Sequence, residues 1–246
     1  MPKIENGHLS GIIGDFHCHT LASLHAYSTL RENVEAAKKM GLRYMAITDH
    51  AIGTHDSPPL SFFDNLESLP EYIDGIRILR GVEANIMDHQ GNLDMPESTL
   101  KKLDFVIASY HTSCTEPGTV EEHTESYLAI AKNPYVRMIG HSGTAEFAYD
   151  YERVIPEFGK NGKVVEINAH TFICRKTSVE NCKKIAGLCQ KYGVPVMVNS
   201  DAHSEFEVGQ VQRALDMLKE MNFPEDLIIN TDASRIRDYL TRIGVR

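Results

Sequence analysis

Seven short apolar stretches punctuate the chain, and each ends in residues able to hold a metal or move a proton. They read GIIGDFH (11–17), RYMAITDH (43–50), IRILRGVEAN (76–85), DFVIASYH (104–111), VRMIGHS (136–142), KVVEINAH (163–170) and VPVMVNSDAH (194–203). Longer helix-like or loop segments separate them. Strands that alternate with helices imply a parallel sheet with crossover connections, and strands apolar along their whole length imply cover on both faces. A closed or partly closed α/β barrel of the TIM type satisfies both conditions. An open doubly wound sheet is the rival, but no glycine-rich phosphate loop follows the first strand. The ends His17 and His19, Asp49 and His50, Glu83, His111, His141, Glu166 and His170, and Asp201 and His203 favour the barrel. A barrel gathers the C-terminal strand ends on one face, whereas an open sheet would spread them along a line. The 246 residues suit one domain spanning 1–246.

Helix signals agree. Thr29 followed by Glu32 forms a capping-box pattern that ends at Gly41, and Ser178 is a candidate cap for a helix ending at Gly193. Val208, Val211, Leu215 and Leu218 recur at helical spacing across 205–222.

DFHCHTLASLH places three histidines in nine positions: His17, His19 and His25. On a strand His17 and His19 point the same way, with Asp15 on that face one step earlier; Asp201 and His203 share the spacing. Cys18 should face away, as a small buried apolar residue. A lone strand-end histidine is usually an ordinary core or surface group. Seven histidines and two carboxylates on one face are another matter. Uncompensated, they would make a costly pocket of desolvated polar groups. Neutral imidazole and carboxylate suit zinc, iron or manganese.

The ordered set DFHCHT…H, AITDH, GVEAN, SYH, GHSG and NSDAH resembles the motifs of the polymerase and histidinol phosphatase (PHP) family, and most nearly its YcdX-like phosphatases, down to HAYSTL, EANI and EIN. The resemblance runs from about residue 15 to 243. It implies a distorted (β/α)7 barrel, a trinuclear site of three divalent ions (zinc, with manganese or iron as alternatives) and hydrolysis of phosphoesters. Carried over position by position, the metal ligands are His17, His19, His25, His50, Glu83, His111, His141, Asp201 and His203, with Glu83 bridging two ions. Nine ligands over three ions leave coordination positions open, as catalytic sites require. The implied mechanism is attack by a metal-bound hydroxide, with Glu83, Asp201 and His203 at the reacting centre and no covalent phospho-enzyme.

Other residues have more than one reading. Asp15 either orients the His17 ring or is a strand-start turn residue. Asp49, out of phase with His50, should cap or support. Arg175 and Lys176 could take a substrate phosphate or form a solvated loop pair. Asn168 shares a face with Glu166 and His170 and could contact substrate. His170 stands where a small polar residue would be expected in the nearest relatives. His8, His55, His89 and His123 are expected at the surface. The long loop 51–72 should help decide the substrate.

The net charge of −9 argues against a general nucleic-acid or membrane-surface binder. A small phosphorylated metabolite is the expected partner. Five cysteines without a CxxC pair suggest reduced thiols in the cytoplasm, and the N-terminus lacks a signal-peptide build. Three rivals remain: a nuclease or phosphodiesterase of the same family, an amidohydrolase, and a non-catalytic metal-dependent scaffold. An amidohydrolase normally has a bridging lysine on its fourth strand, where this chain has His111, and no counterpart of His25. A scaffold tends to lose ligands, and here all nine positions are filled.

Overall fold

A computed structural model describes residues 11–245. Seven parallel strands form from the seven apolar stretches: β1 (Gly14–Cys18), β2 (Tyr44–Ile47), β4 (Ile76–Asn85), β5 (Phe105–Ser109), β6 (Met138–Ile139), β7 (Val164–Asn168) and β8 (Val196–Asn199). The sequence reading did not contain the two-residue β3 (Tyr72–Ile73), which pairs antiparallel with β4. The order β1-β2-β4-β5-β6-β7-β8 curls into a nearly closed barrel. Inward side chains from non-neighbouring strands meet across it, as Phe16 and Phe105 do at 5.3 Å between ring centres. The outward apolar residues, Met45, Ile78, Val106, Val165 and Val198 among them, pack in a larger core that includes residues of the surrounding helices.

The helices behave largely as their signals require. Thr29 and Glu32 make a reciprocal capping box at the start of α1 (Leu30–Lys39). The short α2 (Leu60–Asp64) and α3 (Glu97–Leu100) lie in the connections around β3 and β4. α4 (Val120–Lys132) starts with a second capping box, and α5 (Tyr151–Lys160) is capped by Asp150. The one-turn α6 (Thr171–Cys174) follows β7, and α7 (Val179–Tyr192) ends at Gly193 in the left-handed conformation, φ 65°. Ser178 does not cap α7; its hydroxyl accepts from the Ala145 N–H instead. The last two are α8 (Gln212–Glu220) and α9 (Ala233–Arg242). α8 starts well after residue 205. The preceding residues turn at Gly209, φ 73°, whose N–H is held by the Asp15 carboxylate at 2.9 Å. α9 closes the bottom of the barrel, packing Ile236, Tyr239 and Leu240 against Phe16, Phe105 and Met138.

β1 and β8 close the barrel at its two ends by different means. Near the top, His19 N–H donates to Ala202 O at 2.8 Å. Lower down, the fully buried Asn230 fills the gap. Its Oδ1 accepts from Val198 N–H at 3.0 Å, and its Nδ2 donates to Gly14 O at 2.8 Å and Val198 O at 2.7 Å. One side chain thus supplies the bonds a neighbouring strand would have made. Asn230→Ala should leave these backbone groups unpaired and destabilise the fold by about 3 kcal/mol, since an orphaned buried group costs roughly 1–3 kcal/mol. Denaturant unfolding measures this directly, and a loss below about 1 kcal/mol would show that the gap closes without Asn230.

Candidate metal centre

β1 departs from simple alternation. Its register against β2 shifts between Asp15 and Cys18, the mark of an extra residue in one strand. Phe16 packs in the inner core and Cys18 in the outer one, while His17 next to Phe16 also turns inward. Asp15 therefore does not share the face of His17. It is fully buried and accepts from the Ser200 hydroxyl at 2.5 Å and from Ser200 N–H at 3.2 Å, tying β1 to the turn after β8. Neither reading of Asp15 from sequence anticipated this. The carboxylate that orients His17 is Glu166, whose Oε1 lies 2.8 Å from His17 Nδ1. Its other oxygen accepts from the His141 backbone N–H at 2.8 Å. Glu166 was visible in sequence as a lone carboxylate in an apolar strand, but its partner lies 149 residues away.

Glu83 stands at the centre. Its Oε2 is 3.3 Å from His17 Nε2, 3.5 Å from His19 Nε2 and 3.0 Å from His50 Nδ1. Its Oε1 is 3.4 Å from His111 Nε2 and 2.9 Å from His141 Nε2. Asp201 Oδ1 completes the inner group, 3.4 Å from His17 Nε2 and 3.2 Å from His19 Nε2. His203 and His25 form the outer edge, their Nε2 atoms 2.9 Å apart. The structure thus brings all nine expected ligands together. His17, His19 and Glu83 are fully buried, whereas the His25 side chain is 45% exposed at the rim.

Local devices aim these groups. Asp49 accepts from Thr20 N–H at 2.8 Å and the Ser23 hydroxyl at 2.8 Å, fixing the turn that leads to His25; this is the supporting role expected of it. Asp56 pairs with His25 Nδ1, and Asn85 Oδ1 meets His111 Nδ1 at 2.6 Å. A Cβ at Gly140 would collide with Ser109 Oγ, so only glycine leads the chain into His141. Asp201 is held at φ 58°, a left-handed conformation that a non-glycine residue adopts at a cost and that clusters at functional sites.

Electrostatics match the geometry. Burial by itself would raise the Glu83 carboxyl, but His17, His111 and His50 outweigh it and hold it well below its usual range. Asp201 is likewise held well below its usual range, burial being overcome by His17, His19 and Arg175. Burial, then repulsion from His50 and His203, pushes His19 well down. Burial, with Arg175 nearby, lowers His141 to about 4. These two imidazoles are neutral at pH 7, the form that binds metal.

The donor set passes a test of fit for divalent ions. His17 Nε2, His19 Nε2, His50 Nδ1 and Glu83 Oε2 are buried without a hydrogen-bond partner, and the three ring nitrogens lie 3.3, 3.5 and 3.0 Å from Glu83 Oε2. Buried polar atoms are rarely left so, and cations held on either side of Glu83 would satisfy them. Groups of three ligand atoms within 4.8 Å of one another include His17, His19 and Glu83; His50, Glu83 and His111; and His19, His50 and His203.

The remaining candidates divide. Arg175 lines the cavity above the centre, and its Nη2 donates to Asp201 Oδ2 at 2.8 Å while its Nε has no partner. Lys176 is exposed and is not among the residues lining that cavity. Asn168 is buried and donates to Asp201 Oδ2 at 3.1 Å and Glu166 Oε2 at 3.0 Å; it braces the centre and does not line the cavity. His170 does line it, its Nδ1 3.9 Å from Asp201 Oδ2. His55 is exposed at the same mouth. His123, expected at the surface, is buried: its Nδ1 meets Ala148 O at 2.8 Å and its Nε2 accepts from Gly118 N–H at 2.8 Å. His89 is half-buried beside it, and His8 lies outside the described residues. All five cysteines are unpaired, and no described helix is long and apolar enough to cross a membrane.

Comparison with known proteins agrees with this picture. The PHP domain family model matches residues 15–170, and a PHP-associated model matches 179–225. A probable phosphatase of Acetivibrio thermocellus is 47% identical over 228 residues, which cover 93% of this chain and 95% of the relative. A probable phosphatase of Clostridium botulinum is 43% identical, covering 94% and 95%. Among solved structures, the histidinol phosphate phosphatase of Lactococcus lactis, determined with zinc, L-histidinol and phosphate, superposes with a TM-score of 0.60 at 17% identity, covering 96% and 95%. The ochratoxinase of A. niger superposes with a TM-score of 0.53 at 10% identity, covering 94% and 71%. At such identities the likeness is one of fold.

Proposed function

This chain belongs to the PHP family, and on that premise we propose that it is a phosphatase hydrolysing small phosphomonoesters at a centre of three divalent ions, zinc or else manganese or iron. The observation that carries the reading is the convergence of four buried, unpartnered ligand atoms beneath an open cavity of about 630 Å³. We assign the nine residues to three sets, the first two sharing Glu83: His17, His19, Glu83 and Asp201; Glu83, His111 and His141; and His25, His50 and His203. Ions held there would supply Lewis acidity toward phosphoryl oxygens and make water acidic enough to act near neutral pH. The protein's own groups do the rest. Glu166 fixes the His17 ring so that Nε2 faces Glu83 and Asp201. Asn168 and Arg175 hold Asp201 Oδ2, leaving Oδ1 toward the two histidines. The unpartnered Arg175 Nε, on a side chain reaching the cavity, supports the reading that Arg175 takes a phosphate oxygen.

Residues 1–246 act as one domain in this reading, since β7 and β8 pair across the two matched family regions. The unpaired cysteines fit a reducing cytoplasm. A chain of net charge −9 lacks the basic excess with which a polymer backbone is tracked, which favours a small substrate over nucleic acid. The test is a side-by-side assay of metal-loaded protein on p-nitrophenyl phosphate and metabolite monoesters against labelled oligonucleotides. Release of phosphate from the monoesters is expected. Efficient oligonucleotide cleavage with the monoesters untouched would transfer the site to nuclease chemistry.

Acid should switch the enzyme off. Imidazoles must be neutral to bind, so protons compete with the ions as pH falls. Burial would lower His17 and His50, but the carboxylates around them raise both above the ordinary value of about 6.5, so these take up protons first, while His19 and His141 resist longest. Metal content and turnover should decline together on that side. Activity persisting after the ions have left would refute a metal-dependent reaction.

A further inference from the structure

Among the described residues, the cavity that would receive the substrate is lined by no aliphatic side chain and by no phenylalanine, tyrosine or tryptophan. Small-molecule pockets of roughly 300–1,000 Å³ are ordinarily lined mostly by such groups, with a few polar ones to orient the ligand. This one, at about 630 Å³, draws its non-polar surface from the carbons of imidazole, threonine and serine rather than from such side chains, and has room for more than a phosphate. Beyond the metal-binding set and Arg175, its walls are Thr54, His55 and Asp56 after β2, Ser113 after β5 and His170 after β7.

We propose that the alcohol carried by the phosphate is a hydroxyl-rich polyol or sugar, with neither an aromatic ring nor an ammonium group; this rests on the phosphatase reading above. Three observations lead there. An aromatic or nucleoside leaving group would find imidazole edges and faces but, among the described residues, no aliphatic or phenyl wall to bury against. The exposed aromatic side chains of that end, Tyr27 and Phe206, lie outside the lining. An ammonium group is held best by a carboxylate whose charge is uncommitted, and each of the cavity's three already has a charged or metal-capable partner. Asp56 pairs with His25, Glu83 lies among five imidazoles, and Asp201 holds Arg175. What the walls do offer is hydroxyl and imidazole groups able both to donate and to accept, which is what sugar hydroxyls require. A site built to hydrogen-bond hydroxyls also rejects analogues that lack them, because its own polar groups are then left unpaired.

The test compares kcat/KM of metal-loaded, full-length protein on glucose 6-phosphate and glycerol 3-phosphate with phenyl phosphate, AMP and phosphoethanolamine. The polyol esters should lead by about tenfold or more, a modest share of what a hydroxyl-binding site can discriminate. Ser113→Leu and His55→Leu should each lower kcat/KM for glucose 6-phosphate about ten times more than for phenyl phosphate. Alongside, calorimetry measures binding of the methylene phosphonate analogue of glucose 6-phosphate and of benzylphosphonate, with the sugar analogue expected to bind at least about tenfold tighter. Equal or better use of aryl, nucleoside or amino-alcohol esters overturns the proposal, as does equal or tighter binding of benzylphosphonate. If no ester is hydrolysed at all, the phosphatase reading fails, and the binding comparison alone decides the nature of the wall.

Discussion

Replacing Glu83 by glutamine is expected to lower turnover by about 10³-fold or more, the scale on which a lost electrostatic contact at a reacting centre is felt. The substitution keeps the shape of the side chain and removes its charge. Both oxygens of this one carboxylate are in use, Oε2 toward His17, His19 and His50 and Oε1 toward His111 and His141. A neutral amide would present an N–H to one of these groups of imidazoles where a cation is to sit, so two ion sites weaken together. The effect should exceed that of His25→Ala, because His25 is a half-exposed ligand at the rim and belongs to the outer set alone. Circular dichroism and bound-metal analysis separate loss of chemistry from loss of fold. Near-native turnover with full metal content would exclude Glu83 from the centre.

Stripping the ions with a chelator should abolish turnover and also weaken the fold. Four ligand atoms are buried without partners, and each such atom costs roughly 1–3 kcal/mol. Reloading removes at least about 4 kcal/mol of that penalty. For a chain of this size each kcal/mol moves the midpoint by about 2–4 °C, so the metal-loaded protein should melt about 10 °C or more above the stripped one. Metal analysis of the reloaded protein should approach three ions per chain. A fully reloaded, active sample holding one ion would remove the trinuclear centre, and unchanged melting would mean that the converging atoms need no cation.

Much of the site was legible in advance, for a definite reason. Side chains on a regular strand alternate strictly, and a barrel brings the C-terminal ends of its strands to one face. Placing His17, His19, Glu83, His111, His141, Asp201 and His203 together therefore required only the strands and the topology. The misreadings occur where alternation breaks or where a partner is remote. The irregularity between Asp15 and Cys18 turned Asp15 off the face of His17. The helix read from residue 205 starts only at Gln212, after a turn at Gly209 whose N–H is spent on that same Asp15. His123, polar and on an amphipathic helix, is buried because Ala148 and Gly118 satisfy both ring nitrogens.

By itself, then, the sequence pointed to the parallel α/β barrel and to metal-capable side chains at its strand ends, because both follow from local periodicity and composition, while the resemblance to the PHP family singled out the nine expected ligands among them. Tertiary structure alone decided which carboxylate steadies which histidine. It chose Glu166 for His17 and Asp56 for His25, used Asn230 to close β1 against β8, and admitted Arg175 to the cavity while leaving Lys176 outside. Hydrogen bonds act over about 3 Å, whereas Glu166 and His17 are 149 residues apart in the chain. Such pairings depend on where distant segments come to rest, which no local pattern encodes.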